Sequence, residues 1–256
     1  MSDNDNTILY ELDGAVARVT LNRPEKRNAL NEALIAGIRN ALQQANNDAA
    51  VRVVIISGAG PDFCSGADLA SLKTIAAGSI AENSADARSL MELFAQIRRV
   101  SVPVIAAVRG KALAGGCGLA SACDIVLASA DAKFGYPEVK IGFVPAMVTA
   151  ILRRNVSEKR AFELLTRGAE IGAAEAREFG LVNQIFAEED FEAEVINYVR
   201  SFEQMSKSAV ALTKALLYQI DGMSFGDALE TGVDVNVIAR MTEDCRKGIA
   251  GFLKKD

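Results

Sequence analysis

The chain of 256 residues is 50% apolar and 24% charged, a balance typical of a soluble globular protein. Its net charge is −5 and its basic residues are scattered, so we expect no nucleic-acid partner. No apolar run approaches the roughly 20 residues of a membrane-spanning helix, and the polar start MSDNDNT is unlike a signal peptide. We therefore expect a cytoplasmic protein with no membrane partner.

The chain contains no histidine, which limits the chemistry that it can perform. A Ser-His-Asp triad, a Cys-His pair and a histidine-ligated metal are all excluded within the chain. Proton transfer must then depend on Glu, Asp, Lys, Tyr or Cys. The four cysteines show no CxxC spacing, so we interpret them as reduced, mostly buried thiols and expect no metal site.

The first half of the chain predicts a β-hairpin followed by a parallel sheet. Apolar and polar residues alternate on both sides of Asp13-Gly14, which is a strong hairpin signal. Continuous apolar runs then alternate with helical patterns, as in strands that are covered on both faces and joined by right-handed crossovers. The predicted elements are a helix from Asn31, a strand over 51–58, a helix over 84–99, a strand over 102–108, a glycine-rich turn with a short helix, and a strand over 124–129.

The second half of the chain is predicted to be almost entirely helical. We therefore divide the chain into a core over 1–190 and a C-terminal helical region over 191–256, which we expect to pack on the core or on a neighbouring subunit. The predicted helices cover 145–154, 157–166, 173–179, 190–204, 206–220, 224–240 and 243–254.

Two glycine-rich turns between an apolar strand and a helix are the candidate functional segments. Gly115, Gly116 and Gly118 crowd the turn in ALAGGCGLAS, and SGAGPDFCSGADL forms the earlier one. Backbone N–H groups without a neighbouring Cβ can approach a ligand, and at a helix start they are unpaired and carry partial positive charge. If the N–H groups of Ala67 and Gly115 pointed at one oxygen, each would contribute around 3 kcal/mol of transition-state stabilisation.

Other interpretations of these turns remain open. GGCG matches neither the dinucleotide fingerprint nor a P-loop, so no nucleotide cofactor is predicted. Two explanations of the second turn are equally good: close packing through small residues, and an oxyanion site. For Asp68 a helix cap is favoured over a catalytic role, and Cys117 is interpreted as a packing residue. A hydrolase using Ser65 and Lys73 has suitable residue types but no supporting motif.

Four ordered parts of the sequence resemble the enoyl-CoA hydratase/isomerase (crotonase) family, and together they span nearly the whole chain. They are LNRPEKRNAL at 21–30, FCSGADL at 63–69 with ALAGGCGLASACDIVLAS at 112–129, AKFGYPEVKIGFVP at 132–145, and LLTRGAEIGAAEAREFGLVNQI at 164–185. The resemblance implies an α/β fold, a crotonase-like spiral of ββα units whose C-terminal helices form a homotrimer or homohexamer. It also implies an acyl-CoA substrate, with coenzyme A as part of the substrate and no separate cofactor.

The same resemblance assigns roles to particular residues. Ala67 and Gly115 match the oxyanion-hole positions, whose N–H groups hold the thioester oxygen as an enolate develops, and Glu138 matches a catalytic glutamate. The other implied positions contact the substrate: Lys26, Ala29, Ser65, Gly66, Asp68, Gly116, Gly118, and the C-terminal pair Phe252 and Lys255, which closes over the nucleotide.

The chain departs from the family pattern at Gly118, where hydratases of the family carry a first glutamate. Glu138 would then be the single acid/base, with its pKa raised by the acyl chain and by apolar neighbours such as Phe143 and Val144. One carboxylate can remove a proton from one carbon and return it to another, so double-bond isomerisation is favoured. Hydration by Glu138 alone, and a non-catalytic acyl-CoA-binding or assembly protein, are the alternatives.

Overall fold

Two β-sheets form the centre of the protein in the computed structural model, which describes residues 7–254. A six-stranded sheet has the order β1-β2-β3-β4-β6-β9, and a three-stranded sheet has the order β5-β7-β8. The strands are β1 (Ile8–Asp13), β2 (Val16–Leu21), β3 (Val53–Gly58), β4 (Val104–Val108), β5 (Lys111–Leu113), β6 (Ile125–Ser129), β7 (Lys133–Gly135), β8 (Glu170–Gly172) and β9 (Gln184–Phe186).

Eleven α-helices among residues 7–254 surround the sheets, and short 3₁₀ turns join some of them. The helices are α1 (Glu32–Asn47), α2 (Leu69–Ala77), α3 (Ile80–Arg99), α4 (Gly115–Ala122), α5 (Ala146–Asn155), α6 (Glu158–Arg167), α7 (Ala173–Glu178), α8 (Phe191–Arg200), α9 (Lys207–Gln219), α10 (Phe225–Met241) and α11 (Glu243–Phe252). None of the helices in this part of the chain has the length and apolar character needed to cross a bilayer.

The predicted hairpin and parallel strands are confirmed. β1 and β2 are antiparallel and close at the Asp13 and Val16 pair, and Gly14 in the turn adopts a positive φ of 61°. β2, β3, β4, β6 and β9 are mutually parallel. The strands over 51–58, 102–108 and 124–129 begin one or two residues later than predicted and end where predicted.

The continuous apolar strands are buried on both faces, as their composition predicts. In β3, Val54 and Ile56 pack into the larger core beneath α1, α3 and α4, whereas Val53 and Ile55 pack into a second core. α8 covers this second core with Phe191, Val195 and Val199. The division of the chain at residue 190 stays a prediction, and α8, directly after it, packs on the sheet.

Three features differ from the predicted elements. An additional helix, α2, precedes α3, and α3 begins at Ile80 rather than at residue 84. The helix expected over 190–204 ends at Arg200, and a 3₁₀ turn follows it. β5, β7 and β8 each have only three residues, too few to show a period of two in the sequence.

A buried lysine, which the sequence analysis missed, attaches α9 to the core. The Lys214 ammonium donates to the Ile97 and Val102 carbonyls at 2.8 and 2.9 Å, and to Asp124 Oδ2 at 2.7 Å. Asp124 also accepts from the Tyr218 hydroxyl and the Val104 amide, at 2.7 Å each. Burial lowers the pKa of Lys214. The ammonium therefore joins α9 to the end of α3 and to the beginnings of β4 and β6.

Replacing this lysine tests its contribution to stability. We expect Lys214→Met to lower the free energy of unfolding by about 3–5 kcal/mol, because it leaves the Asp124 carboxylate buried without its cation. Urea unfolding at one fixed protein concentration measures the change. Lys247→Met, which removes an exposed ammonium paired with Glu243, is the control and should leave the midpoint unchanged. A loss no larger than in the control would contradict the prediction.

Candidate active site

The parallel strands bring the predicted site segments to one edge of the fold. Carboxyl ends of neighbouring parallel strands lie at the same edge of a sheet, where ligands bind in open α/β proteins. The LNRPEKRNAL segment follows β2, and the first glycine turn follows β3. The second turn follows β5, and Glu138 follows β7, which is parallel to β5. Each sheet thus places two of the segments together, and the bridge between Cys64 and Ala112 brings the first turn against β5.

The backbone of residues 64–68 runs between Leu30 on one side and β5 on the other. The Leu30 amide donates to the Gly66 carbonyl at 2.6 Å, and the Asp68 amide donates to the Leu30 carbonyl at 2.9 Å. On the other side, Cys64 pairs with Ala112 of β5. Because both bonds to Leu30 come from the residues that flank Ala67, the N–H of Ala67 points away from Leu30, towards β5. Within residues 7–254, no backbone acceptor takes this N–H.

The second glycine turn lies directly against this segment. A Cβ built on Gly66, whose φ is +97°, would lie 3.5 Å from the Gly115 nitrogen. A Cβ on Gly116 would lie 2.2 Å from the Cys64 carbonyl oxygen. Gly115 is the first residue of α4, so its N–H has no acceptor within the helix. Close packing at Gly66 and Gly116 therefore brings the two turns into contact next to Ala67 and Gly115.

Ala114, between β5 and α4, has a strained backbone. Its φ of 51° and ψ of −127° are rare for a residue with a side chain. Two hydrogen bonds hold it: its amide donates to the Gly135 carbonyl at 2.8 Å, and its carbonyl accepts from the Gly118 amide at 2.9 Å. Such a conformation costs about 1–3 kcal/mol and is concentrated at functional sites.

Glu138 lies in a 3₁₀ turn, Pro137–Ile141, directly after β7. The residue is half-buried, and within the described part of the chain its Oε2 is buried without a hydrogen-bond partner. Burial raises the pKa of the Glu138 carboxyl, and a hydrogen bond from its own backbone offsets part of this effect. Phe143 and Val144, expected to cover this carboxylate, are exposed instead. A loop of exposed apolar side chains is free to contact an acyl chain.

Gly118, the departure from the family pattern, faces two apolar side chains. A Cβ on Gly118 would lie 2.6 Å from Val148 Cγ2 and 3.1 Å from Phe94 Cζ. Both neighbours are buried. The space that a glutamate side chain would need at position 118 is therefore occupied by α3 and α5.

The structure supports the cap interpretation of Asp68. Its Oδ1 accepts from the Ala70 amide at 2.8 Å at the start of α2, and its Oδ2 accepts from Arg23 at 2.7 Å. These bonds lower the pKa of the Asp68 carboxyl, the Ala70 amide more than Arg23. Asp68 thus holds the loop, and its assignment as a substrate contact stays a prediction.

Arg23 and Asn28 are site residues that the sequence analysis missed. Asn28 is fully buried with a φ of 53°, accepts from the Arg23 amide at 2.9 Å, and donates to the Ala59 and Asp62 carbonyls. These bonds join the segment after β2 to the segment after β3. The polar residues of LNRPEKRNAL were the one sequence signal that could have indicated Arg23 and Asn28. A loop that is exposed to solvent does not need to bury an amide or a guanidinium.

The remaining predicted substrate contacts differ in their exposure. Lys26 is exposed, Ala29 is buried beside Leu30, and Ser65 is partly buried. Phe252 is exposed near the end of α11, which packs on α9 and α10. Lys255 lies outside the described residues. Their roles in binding coenzyme A stay predictions.

Three of the four cysteine thiols are buried packing groups. Cys64, Cys117 and Cys123 are buried, and all four cysteines are free. Burial raises the pKa of the Cys117 thiol to about 11, so almost no thiolate exists at neutral pH. Lys73, the other partner of the hydrolase alternative, is exposed on α2.

The fold and this edge define an α/β protein in which two glycine-rich turns pack together and a half-buried carboxylate follows β7. The family model for enoyl-CoA hydratase/isomerase matches residues 11–256. A putative enoyl-CoA hydratase of Thermus thermophilus is 40% identical, covering 94% of this chain and 96% of the relative. A crotonyl-CoA hydratase of Syntrophomonas wolfei is 35% identical, covering 97% and 95%. An enoyl-CoA hydratase structure from Mycobacterium smegmatis matches with a TM-score of 0.93 at 31% identity, covering 98% and 97%.

The chain therefore belongs to the enoyl-CoA hydratase/isomerase family, has the crotonase fold, and is an enzyme that acts on acyl-CoA. Both the resemblance and the fold class inferred from the sequence are confirmed.

The buried carboxylate predicts a pH-dependent effect on stability. Because the pKa of Glu138 is raised by folding, its contribution to stability is complete below the unfolded pKa and is lost as pH rises through the folded pKa. We expect the melting temperature of Glu138→Gln, relative to wild type, to increase between about pH 4 and about pH 8. Exposed Glu175→Gln is the control. A pH-independent difference, or one of opposite sign, would show that Glu138 is not desolvated.

Proposed function

We propose that the enzyme shifts the double bond of 3-enoyl-CoA thioesters to the conjugated 2-position through an enolate. The Glu138 carboxylate takes a proton from C2, electrons move from the C2–H bond towards the thioester oxygen, and the same carboxyl returns the proton to C4. The double bond thereby moves from C3–C4 to C2–C3, and no other reactant is consumed. The contact between the two glycine turns, together with the half-buried Glu138 carboxylate after β7, carries this proposal.

The two backbone amides stabilise the charge on the thioester oxygen. The N–H of Ala67 points towards β5, and the N–H of Gly115 begins α4, whose eight aligned peptides add positive potential. A carboxylate with a raised pKa is a stronger base than an exposed one, which favours removal of the weakly acidic C2 proton.

The apolar packing at position 118 supports isomerisation over hydration. Hydration requires a water held at C3 and a proton delivered to C2. Val148 and Phe94 fill the space beside Gly118, and neither can hold a water by hydrogen bonds. A proton shuttle by one carboxylate needs no group there. Hydration by Glu138 alone is the second candidate, supported by the names of the relatives at 40% and 35% identity.

A pair of substrates separates these candidates. We expect trans-3-enoyl-CoA to give a rise in conjugated-thioester absorbance, and trans-2-enoyl-CoA to lose that absorbance much more slowly. Glu138→Gln should lower kcat by about 10²–10⁴-fold, the usual contribution of a general base. Glu175→Gln, at an exposed position of α7, is the matched control. Faster hydration would favour the second candidate, and tight acyl-CoA binding without any product would favour a non-catalytic role.

A homotrimer or homohexamer is the proposed assembly. Within α10 none of the residues is buried, and Phe225, Leu229, Val233 and Val237 follow one another at intervals of four, all exposed. A row at this spacing forms one apolar face of a helix, and monomers rarely expose a contiguous face of this kind.

A carboxylate in the middle of this row tests the assembly. We expect Val233→Glu to give a light-scattering mass near the 27.2 kDa of one chain, in place of three or six times that mass. Burying an unpaired charge in an interface costs several kcal/mol, which is enough to dissociate it. Asp234→Asn, beside the row, changes the charge by one unit and should leave the mass unchanged. A wild-type monomer would contradict the proposed assembly.

A further inference from the structure

Arg23 is a nearly buried cation between the segments that follow β2 and β3. Its side chain is 14% exposed, and that of its partner Asp68 is 11% exposed. One guanidinium nitrogen, Nη2, donates to Asp68 Oδ2 at 2.7 Å, and the other, Nη1, donates to the Ala29 carbonyl at 2.5 Å. Nothing in the proposed proton transfer uses this guanidinium directly.

The bond to Ala29 begins a chain of aligned peptide groups that ends at Ala67. The Ala29 carbonyl and the Leu30 amide belong to one peptide group, and the Leu30 amide donates to the Gly66 carbonyl at 2.6 Å. The Gly66 carbonyl and the Ala67 amide belong to the next peptide group. The C=O and N–H of a trans peptide point in opposite directions, so each bond fixes the direction of the following donor.

We infer that Arg23 is a positioning residue that orients and polarises the Ala67 N–H through the Ala29–Leu30 and Gly66–Ala67 peptide groups. The inference depends on the proposed function, in which that N–H receives the thioester oxygen. A cation at the donor end of the chain attracts electron density from each carbonyl in turn, and consecutive hydrogen bonds strengthen one another. The Ala67 hydrogen therefore becomes a better donor for developing negative charge.

The contact between Arg23 and Asp68 makes the orientation of the Gly66–Ala67 peptide group rigid. Asp68 directly follows Ala67, and its amide returns a bond to the Leu30 carbonyl at 2.9 Å. Arg23 thus holds the polypeptide on both sides of the Gly66–Ala67 peptide group. A planar guanidinium can reach two acceptors in fixed directions. A lysine ammonium would supply the positive charge but not two N–H donors in fixed, planar directions.

Arg23→Gln tests the inference, with Arg27→Gln as the matched control. Arg27 belongs to the same segment, but its side chain is 67% exposed and lies 3.9 Å from Asp62. For Arg23→Gln we expect kcat to fall about 10–100-fold while KM changes less than about threefold, since the lost interaction strengthens in the transition state. Arg27→Gln should retain wild-type kcat and KM.

Two readouts do not require turnover. The first is the carbonyl stretching frequency of a bound saturated acyl-CoA with a ¹³C-labelled thioester carbonyl, which should shift less in Arg23→Gln than in wild type. The second is hydrogen exchange of the Leu30 amide in the free protein, which should be about tenfold faster. Equal values of both in Arg23→Gln and Arg27→Gln would overturn the inference, whatever the turnover.

The outcomes separate this inference from the proposed function. A wild-type enzyme that shifts the carbonyl frequency but never moves the double bond contradicts the proton shuttle, and the frequency in Arg23→Gln still decides the inference.

If Arg23→Gln does not fold, Arg23→Lys retains the charge. We expect this variant to lose part of the carbonyl shift and more than about threefold in kcat. A lysine variant equal to wild type in both measurements would overturn the inference.

Discussion

The direction of the Gly66–Ala67 peptide group is the constraint on which the site depends. A backbone donor cannot rotate as a side chain does, so it is aimed only by what the rest of its peptide contacts. Here the Leu30 amide holds the carbonyl end, and the N–H end is left facing β5. Leu30 can do this because β2 and β3 are parallel neighbours whose following segments leave the sheet side by side. The order of the strands thus determines the direction of the Ala67 N–H through one hydrogen bond, from the Leu30 amide to the Gly66 carbonyl.

The glycine turns combine close packing with access to the backbone, and the two interpretations of them are not exclusive. Gly116 has no room for a Cβ because Cys64 lies against it, and that contact is what places Gly115 beside the first turn. Ala114 bears the remaining strain, at a cost of about 1–3 kcal/mol, and the hydrogen bonds from Gly118 and to Gly135 hold it. Close packing and the proposed oxyanion site therefore require the same small residues.

Features with a local cause could be predicted from the sequence, and features with a distant cause could not. The hairpin at Gly14 and the strand over Val53–Gly58 follow from turn chemistry and continuous apolar runs. The family motifs located Glu138 and both turns. Lys214 and Arg23 appear as ordinary surface cations in the sequence, since their partners lie 90 and 45 residues away in the chain. Only the tertiary fold shows that they are buried.

The charge distribution of the site supports the proposed proton shuttle by a single carboxylate. Burial makes the Glu138 carboxylate more basic, and its Oε2 has no hydrogen-bond partner among residues 7–254. In the proposed mechanism, the Ala67 and Gly115 amide dipoles make the C2 proton of the thioester more acidic. Both effects reduce the free-energy difference between substrate and enolate, and both weaken if water enters. A glutamate at position 118 would bring a second charge and its hydration shell into this space. Val148 and Phe94, packed on Gly118, instead keep that side of the site apolar, so the two effects reinforce each other.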